Sequence, residues 1–229
     1  MKTNRMPLVL SALSVAVTIS ATQAGAVAIA NGGFEAQAGS VPLNYVLAGP
    51  VTGWNGGTYL TSAGYYSATP PEGRIFALIG NGIDTGGSHL SQTITGLTSG
   101  SRYTVKFAIG SEDFVIPGTV EQVNVWMSTG SSSASQVFSA PISSNATAYG
   151  GGPLWDNWGY FNYSFIANGT SATLNFEQTS ATTGSGDTGL DDVSISSGAP
   201  EPATWAMMLL GTAGLGGMVR RRRQARLSA

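Results

Sequence analysis

The chain has no cysteine, a single histidine, and charged residues at only 10% of its 229 positions. Without cysteine no disulfide can staple the fold, so stability rests on the core and on any bound cation. The one histidine, His89 in Gly86-Gly87-Ser88-His89-Leu90, cannot make a His-rich zinc site and has no recognisable Ser or Asp partner pattern. It reads as a turn or strand-edge residue. Bases are scarcer still. Between residues 27 and 199 they are Arg74, Arg102 and Lys106 alone, against eleven acids, a net charge of about −8 that the terminal arginines hide in the whole-chain figure. Nothing in that body could neutralise phosphates, which disfavours a nucleic-acid partner. There is also no long helical periodicity, no convincing internal repeat and no second core.

Apolar runs occur only at the two ends. Lys2 and Arg5 precede the stretch Leu8 to Ile19, and small residues follow at Ala21-Thr22-Gln23-Ala24-Gly25-Ala26. That order predicts a signal peptide over residues 1–26, cleaved after Ala24 or Ala26. At the other end, Pro200-Glu201-Pro202 is followed by 17 uncharged residues, Ala203 to Val219, and then by Arg220, Arg221, Arg222 and Arg223. Seventeen residues reach the lower limit for crossing roughly 30 Å of hydrocarbon as a helix, and the arginines hold their end in the cytoplasm. The body between the ends is expected outside.

This C-terminal order resembles the PEP-CTERM sorting signal of Gram-negative bacteria. The resemblance implies recognition of Pro200, Glu201 and Pro202 by an exosortase, a membrane cysteine protease. It also implies passage through the inner membrane and delivery to the cell surface or to an exopolysaccharide matrix. A plain linker and tail anchor is the alternative reading. The expected division is therefore a signal peptide at 1–26, a body at 27–197 and a sorting tail at 198–229. Within the tail, residues 198–202 form the linker and motif, 203–219 the transmembrane segment and 220–229 the Arg-rich cytoplasmic end.

The body is punctuated by Gly, Ser, Thr and Asn between short β-rich runs, a pattern that predicts an all-β fold. Expected strands are Arg74 to Ile79, Leu90 to Ile94, Arg102 to Ile109, Glu121 to Met127, Tyr160 to Ile166, Ala172 to Glu177 and Leu190 to Ile195. Alternation puts Tyr103, Val105, Phe107 and Ile109 on one face and Thr104 and Lys106 on the other. Seven or more such strands point to a two-sheet sandwich of jelly-roll type. Three segments resemble the galactose-binding-like jelly roll of many bacterial carbohydrate-binding modules: Asn31-Gly32-Gly33-Phe34-Glu35, the run from Leu90 to Val105, and Gly189-Leu190-Asp191-Asp192-Val193-Ser194-Ile195. Such a fold does not name its ligand.

The resemblance implies a structural calcium ion held between the first and last strands, with Glu35 and either Asp191 or Asp192 as acidic ligands. Calcium takes 6 to 8 oxygens, so carbonyls of the glycine-rich turn would complete the set. Alternation predicts that Asp191 faces inward with Val193 and Ile195, where an unpartnered carboxylate is costly. The acids could instead cap turns. For ligand contact the candidates are Trp54, Trp155 and Trp158, in loops rich in Gly, Asn and Asp. An indole face can stack on a pyranose while polar neighbours fix its hydroxyls. A tryptophan entering a strand can equally be a core plug.

Catalysis has little support. Adjacent acids such as Glu112-Asp113 and Asp191-Asp192 would point to opposite faces of a strand, the wrong arrangement for two carboxylates flanking one bond. The expectation is a non-enzymatic exported surface or matrix protein, associated with exopolysaccharide or biofilm. A carbohydrate-active enzyme, or its accessory binding module, is the alternative class, and a ligand-free structural spacer is a third.

Overall fold

A computed structural model describes residues 27–64, 68–80, 89–111, 120–128, 134–141, 157–179, 188–198 and 209–212. The expected signal peptide, Trp155, the pair Glu112-Asp113, the Pro200-Glu201-Pro202 motif and the expected tail apart from Gly198 and residues 209–212 lie outside the described residues. Residues 209–212 are helical and exposed. Among the described residues, no helix is long and apolar enough to cross a membrane.

Ten strands are described: β1 (Val46–Pro50), β2 (Gly57–Ser62), β3 (Ile75–Ile79), β4 (His89–Thr95), β5 (Arg102–Ser111), β6 (Gln122–Met127), β7 (Gln136–Ser139), β8 (Trp158–Ile166), β9 (Ser171–Gln178) and β10 (Thr188–Ser197). They form two antiparallel sheets, one ordered β1-β2-β3-β10-β5-β8 and the other β4-β9-β6-β7. This is the expected all-β two-sheet sandwich. The seven expected strands all form, with ends displaced by a residue or two. Strands β1, β2 and β7 were not among them.

The alternation expected in β5 holds: Tyr103, Val105, Phe107 and Ile109 are buried, whereas Arg102 and Lys106 are exposed. The inner faces lock through aromatic rings, which bury much apolar area and pack favourably edge to face. Phe107 of the six-stranded sheet meets Phe138 and Phe176 of the four-stranded sheet, at centroid distances of 5.1 and 5.2 Å. A smaller cluster of Phe76, Leu78 and Ala68 lies apart from this core, packed by Tyr59 and Trp158.

The segment before β1 is fastened to both sheets. Gln92 of β4 accepts a bond from the Ala30 N–H at 2.8 Å and donates through Nε2 to the carbonyls of Ala30 and Gly53. The Val193 N–H of β10 donates to the Gly32 carbonyl at 3.0 Å. Gly32 lies so close there that a Cβ would strike the Val193 carbonyl, so the glycine is demanded by close approach. The segment is nevertheless no first strand. Residues 30–33 turn, and Glu35–Gln37 form a short 3-10 helix.

Candidate functional site

Two places gather polar side chains into one arrangement. The first is where the glycine-rich turn, the Pro70-Pro71-Glu72-Gly73 turn and β10 converge. Glu35 Oε1 accepts the backbone N–H groups of Arg74 and Ile75, at 2.6 and 2.7 Å. Asp191 is wholly buried, with Oδ2 accepting the Glu72 N–H at 3.0 Å and Oδ1 the Asp192 N–H at 2.8 Å. Burial pushes the Asp191 pKa up to about 8, the two backbone donors only partly oppose that, and the Glu72 and Asp192 charges add to the rise.

The expected inward direction of Asp191 needs correcting. Register runs Asp191 to Ala108 and then Ser194 to Lys106, so β10 carries one extra residue there. This bulge breaks the period of two on which the expectation relied. Leu190 pairs with Ile109 on the core face, whereas Asp191 pairs with Ala108 on the outer face; beyond the bulge Val193 and Ile195 pack on the core again. Asp191 is buried because the Glu72 turn covers it.

The three expected calcium ligands are not brought together. Asp192 turns to Lys106, with Nζ to Oδ2 at 2.9 Å. Glu35 caps the start of β3. Among the described residues, no three His, Cys, Asp or Glu side chains form a group able to hold a metal ion. Glu72, which sequence reasoning missed, is the acid nearest in role to Asp191: its charge acts on that carboxyl, and its own carboxyl occupies the place a Gly33 Cβ would take. Its signal was the Pro-Pro-Glu-Gly turn just before a strand. All these donors are hard oxygens, which suits calcium chemically, but only two side chains and neighbouring carbonyls could serve.

The tryptophans also divide. Trp54, expected as a ligand contact, is corrected to a core residue: it is 6% exposed, stacks on Phe34 at 5.6 Å, lies 6.0 Å from Phe176 and donates its indole N–H to the Asn31 carbonyl. The loop glycines around it bring the backbone close, and the ring fills the gap between sheets. Trp158 is half-buried on the outer face of the six-stranded sheet, edge-on to Phe76 at 5.3 Å and above Gly110.

The second gathering is the outer face of the four-stranded sheet. Pairing sets Ser91, Asn175 and Trp126 in one row, and His89, Glu177, Asn124 and Val137 in the next. From strands on either side of β9, the His89 and Trp126 rings meet at 5.6 Å with planes 26° apart. Beneath them Asn175 Oδ1 lies 3.0 Å from His89 Nε2, and Asn175 Nδ2 donates to the Trp126 and Thr173 carbonyls. That roof explains why an outward-pointing asparagine is only 4% exposed. The rings themselves, with Glu177 and Asn124, are half-buried and reach solvent.

The C-terminal domain of EclA, a sugar-binding protein, is similar at 20% identity and a TM-score of 0.34, over 46% of this chain and 64% of that one. This chain thus spans just under two-thirds of that relative. A CBM4 module is similar at 14% identity and a TM-score of 0.39, over 74% and 99% of the two chains. The CBM22-1 xylan-binding domain of Xyn10C from Paenibacillus barcinonensis is similar at 12% identity and a TM-score of 0.39, over 77% and 97%. No curated protein matches. The PEP-CTERM protein-sorting motif matches residues 199–223, which implies exosortase processing, export and sorting to the cell surface. Matched over residues 25–196 by the model described as HpiC1 cyclase, the chain belongs to the HpiC1-like family.

Proposed function

We propose that this chain is a non-enzymatic protein of the cell surface or extracellular matrix that holds exopolysaccharide on the outer face of its four-stranded sheet. The observation that carries this reading is the His89–Trp126 ring pair over Asn175, in register with Glu177 and Asn124. Aromatic faces take the C–H surface of a pyranose, while amides and a carboxylate beside them take its hydroxyls. The sorting motif supports delivery to where such polymers lie. Affinity electrophoresis of the full chain through gels containing the host's own exopolysaccharide tests it. Retardation is expected, and Trp126→Ala should weaken it roughly tenfold while the thermal melt stays cooperative. Retardation unchanged in that variant would sink the reading.

The family is described by a cyclase, so catalysis is the competing class. One observation favours it: a carboxyl held neutral near pH 7, as Asp191 is, is what a proton-donating catalyst requires. Against it, Asp191 is 0% exposed and both its oxygens accept backbone N–H bonds. A proton donor must reach its substrate, so we keep the non-enzymatic reading.

Calcium at Asp191 and Glu72, completed by backbone carbonyls, is the second part of the proposal. It is supported by a buried carboxyl that protein donors compensate only in part. When bound, the ion would take the place of the Asp191 proton and tie the Glu72 turn to β10. A ligand at about a hundred times its dissociation constant adds about 2.7 kcal/mol to stability. Millimolar calcium should therefore raise the melting temperature by several degrees over chelator, and no rise would remove calcium from the account.

A further inference from the structure

The outer face of the four-stranded sheet is distinguished by its charge as well as by its rings. All three bases of the body lie in or beside the other sheet. Arg102 and Lys106 are on β5, and Arg74 immediately precedes β3, where its guanidinium donates to the Val41 carbonyl at 2.6 Å. The four-stranded sheet carries none. Its outer face instead presents Glu177, half-buried, directly between His89 of β4 and Asn124 of β6, and two residue pairs along from Trp126. A second carboxyl, Glu121, is buried at the entry to β6 and bonded to Gln178 of β9. The body as a whole carries about −8.

These charges bear on which polymer the face would take. An acidic polysaccharide would bring uronate against Glu177 with no lysine or arginine on the sheet to answer it, and like charges brought together cost affinity. A neutral one would leave Glu177 only hydroxyls to accept from. A sugar carrying a free amine fits both features: its ring stacks against the indole and imidazole, and its ammonium donates charge-assisted bonds to Glu177, stronger than those to a neutral partner. Asn124 and Asn175 remain for the hydroxyls.

Resting on the reading of this face as a glycan site, we propose that it selects amino sugars with unacetylated amines, and that Glu177 is the residue that selects them. The chemistry recognised is a pyranose chain bearing ammonium groups, such as a partly deacetylated hexosamine polymer. An acetyl group on the nitrogen removes the charge and adds bulk where the carboxylate sits.

The test is calorimetric titration of the full chain with glucosamine hexamer, N-acetylglucosamine hexamer and cellohexaose. Wild type is expected to bind the first at least about tenfold more tightly than the other two. Glu177→Gln should bring the three close to parity, with glucosamine hexamer losing far more affinity than the two neutral hexamers. Trp126→Ala should weaken all three. Because an anionic body attracts any polycation, Ser196→Lys on the opposite sheet serves as a control. Ser196 is exposed and paired with Thr104 of β5, and the substitution makes the same one-unit change in net charge. Selectivity surviving in Glu177→Gln, or falling as far in Ser196→Lys, overturns the proposal and attributes the preference to bulk charge. Equal binding of the three hexamers by wild type, still sensitive to Trp126→Ala, overturns the selectivity and leaves the glycan site standing. No binding of any of them by wild type overturns both.

Discussion

A buried carboxyl that titrates near 8 spends the neutral range protonated, and Asp191 does so because the Glu72 turn closes water out while supplying one backbone donor. Unfolded aspartate titrates near about 4. Between those values the folded chain holds the extra proton, so unfolding becomes easier as pH rises. The contribution of this group is complete below about pH 4 and lost as pH climbs through about 8. In chelator, the urea midpoint should fall across that window more steeply for wild type than for Asp191→Asn, which has no proton to lose; parallel curves would contradict the burial cost. The sequence named Asp191 correctly as a residue needing a partner but could not name Glu72, which reaches it only through a turn over a hundred residues away. The tryptophans show a related limit. Trp54 looked exposed because glycines surround it, yet glycines also let backbone close around a ring. Trp126 was legible and went unread: Val123, Val125 and Met127 alternate with Asn124 and Trp126, which places the indole on the solvent face.

At the scale of the element, β10 explains both what the pattern revealed and where it misled. Its apolar residues marked a strand, but alternation holds only while register does, and the extra residue between Asp191 and Ser194 resets it. Asp192 occupies the left-handed region at φ 48°, where a short polar residue or glycine is tolerated and a β-branched one is strained. Its ion pair with the half-exposed Lys106 lies at the surface, where such pairs are worth about 0–1 kcal/mol. Asp192→Gly should therefore cost under about 1 kcal/mol by denaturant titration, and Asp192→Val about 2 kcal/mol or more. Equal costs would mean that the pair, and not the backbone, holds the bulge. The strands that went unread share a physical reason. β1 ends in Gly49-Pro50, which an edge strand accepts because its outer N–H groups need no partner, β2 starts directly after Gly56, and β7 has only 4 residues. Their pairing is imposed by neighbours more than by local propensity.

Across the whole molecule the charge is divided by sheet, with the lysine and arginines of the body at the six-stranded sheet and neither residue type on the ring-bearing face, while Arg220, Arg221, Arg222, Arg223 and Arg226 crowd beyond the sorting motif. The body and the motif are matched separately, at residues 25–196 and 199–223. Strand β10 runs to Ser197, and the Gly198 N–H still bonds to the Arg102 carbonyl at 2.8 Å, so the folded body reaches to within two residues of Pro200. A protease at the membrane must then work close against the sandwich. Proline fixes its own φ and disfavours helix in the residue before it, so a Pro-Glu-Pro sequence favours extended backbone, the form a protease groove accepts. Replacing Pro200 and Glu201 together by alanine removes the charge and half of that restriction without touching the body. Intact-mass measurement and fractionation from the native host should show wild type shortened beyond the motif and at the surface. The double variant should keep its arginines and stay with the inner membrane, as wild type should in a host lacking the exosortase. If the variant were trimmed like wild type, recognition would have to lie in the apolar segment or the arginines, and the Pro-Glu-Pro sequence would be reduced to a spacer between sandwich and membrane.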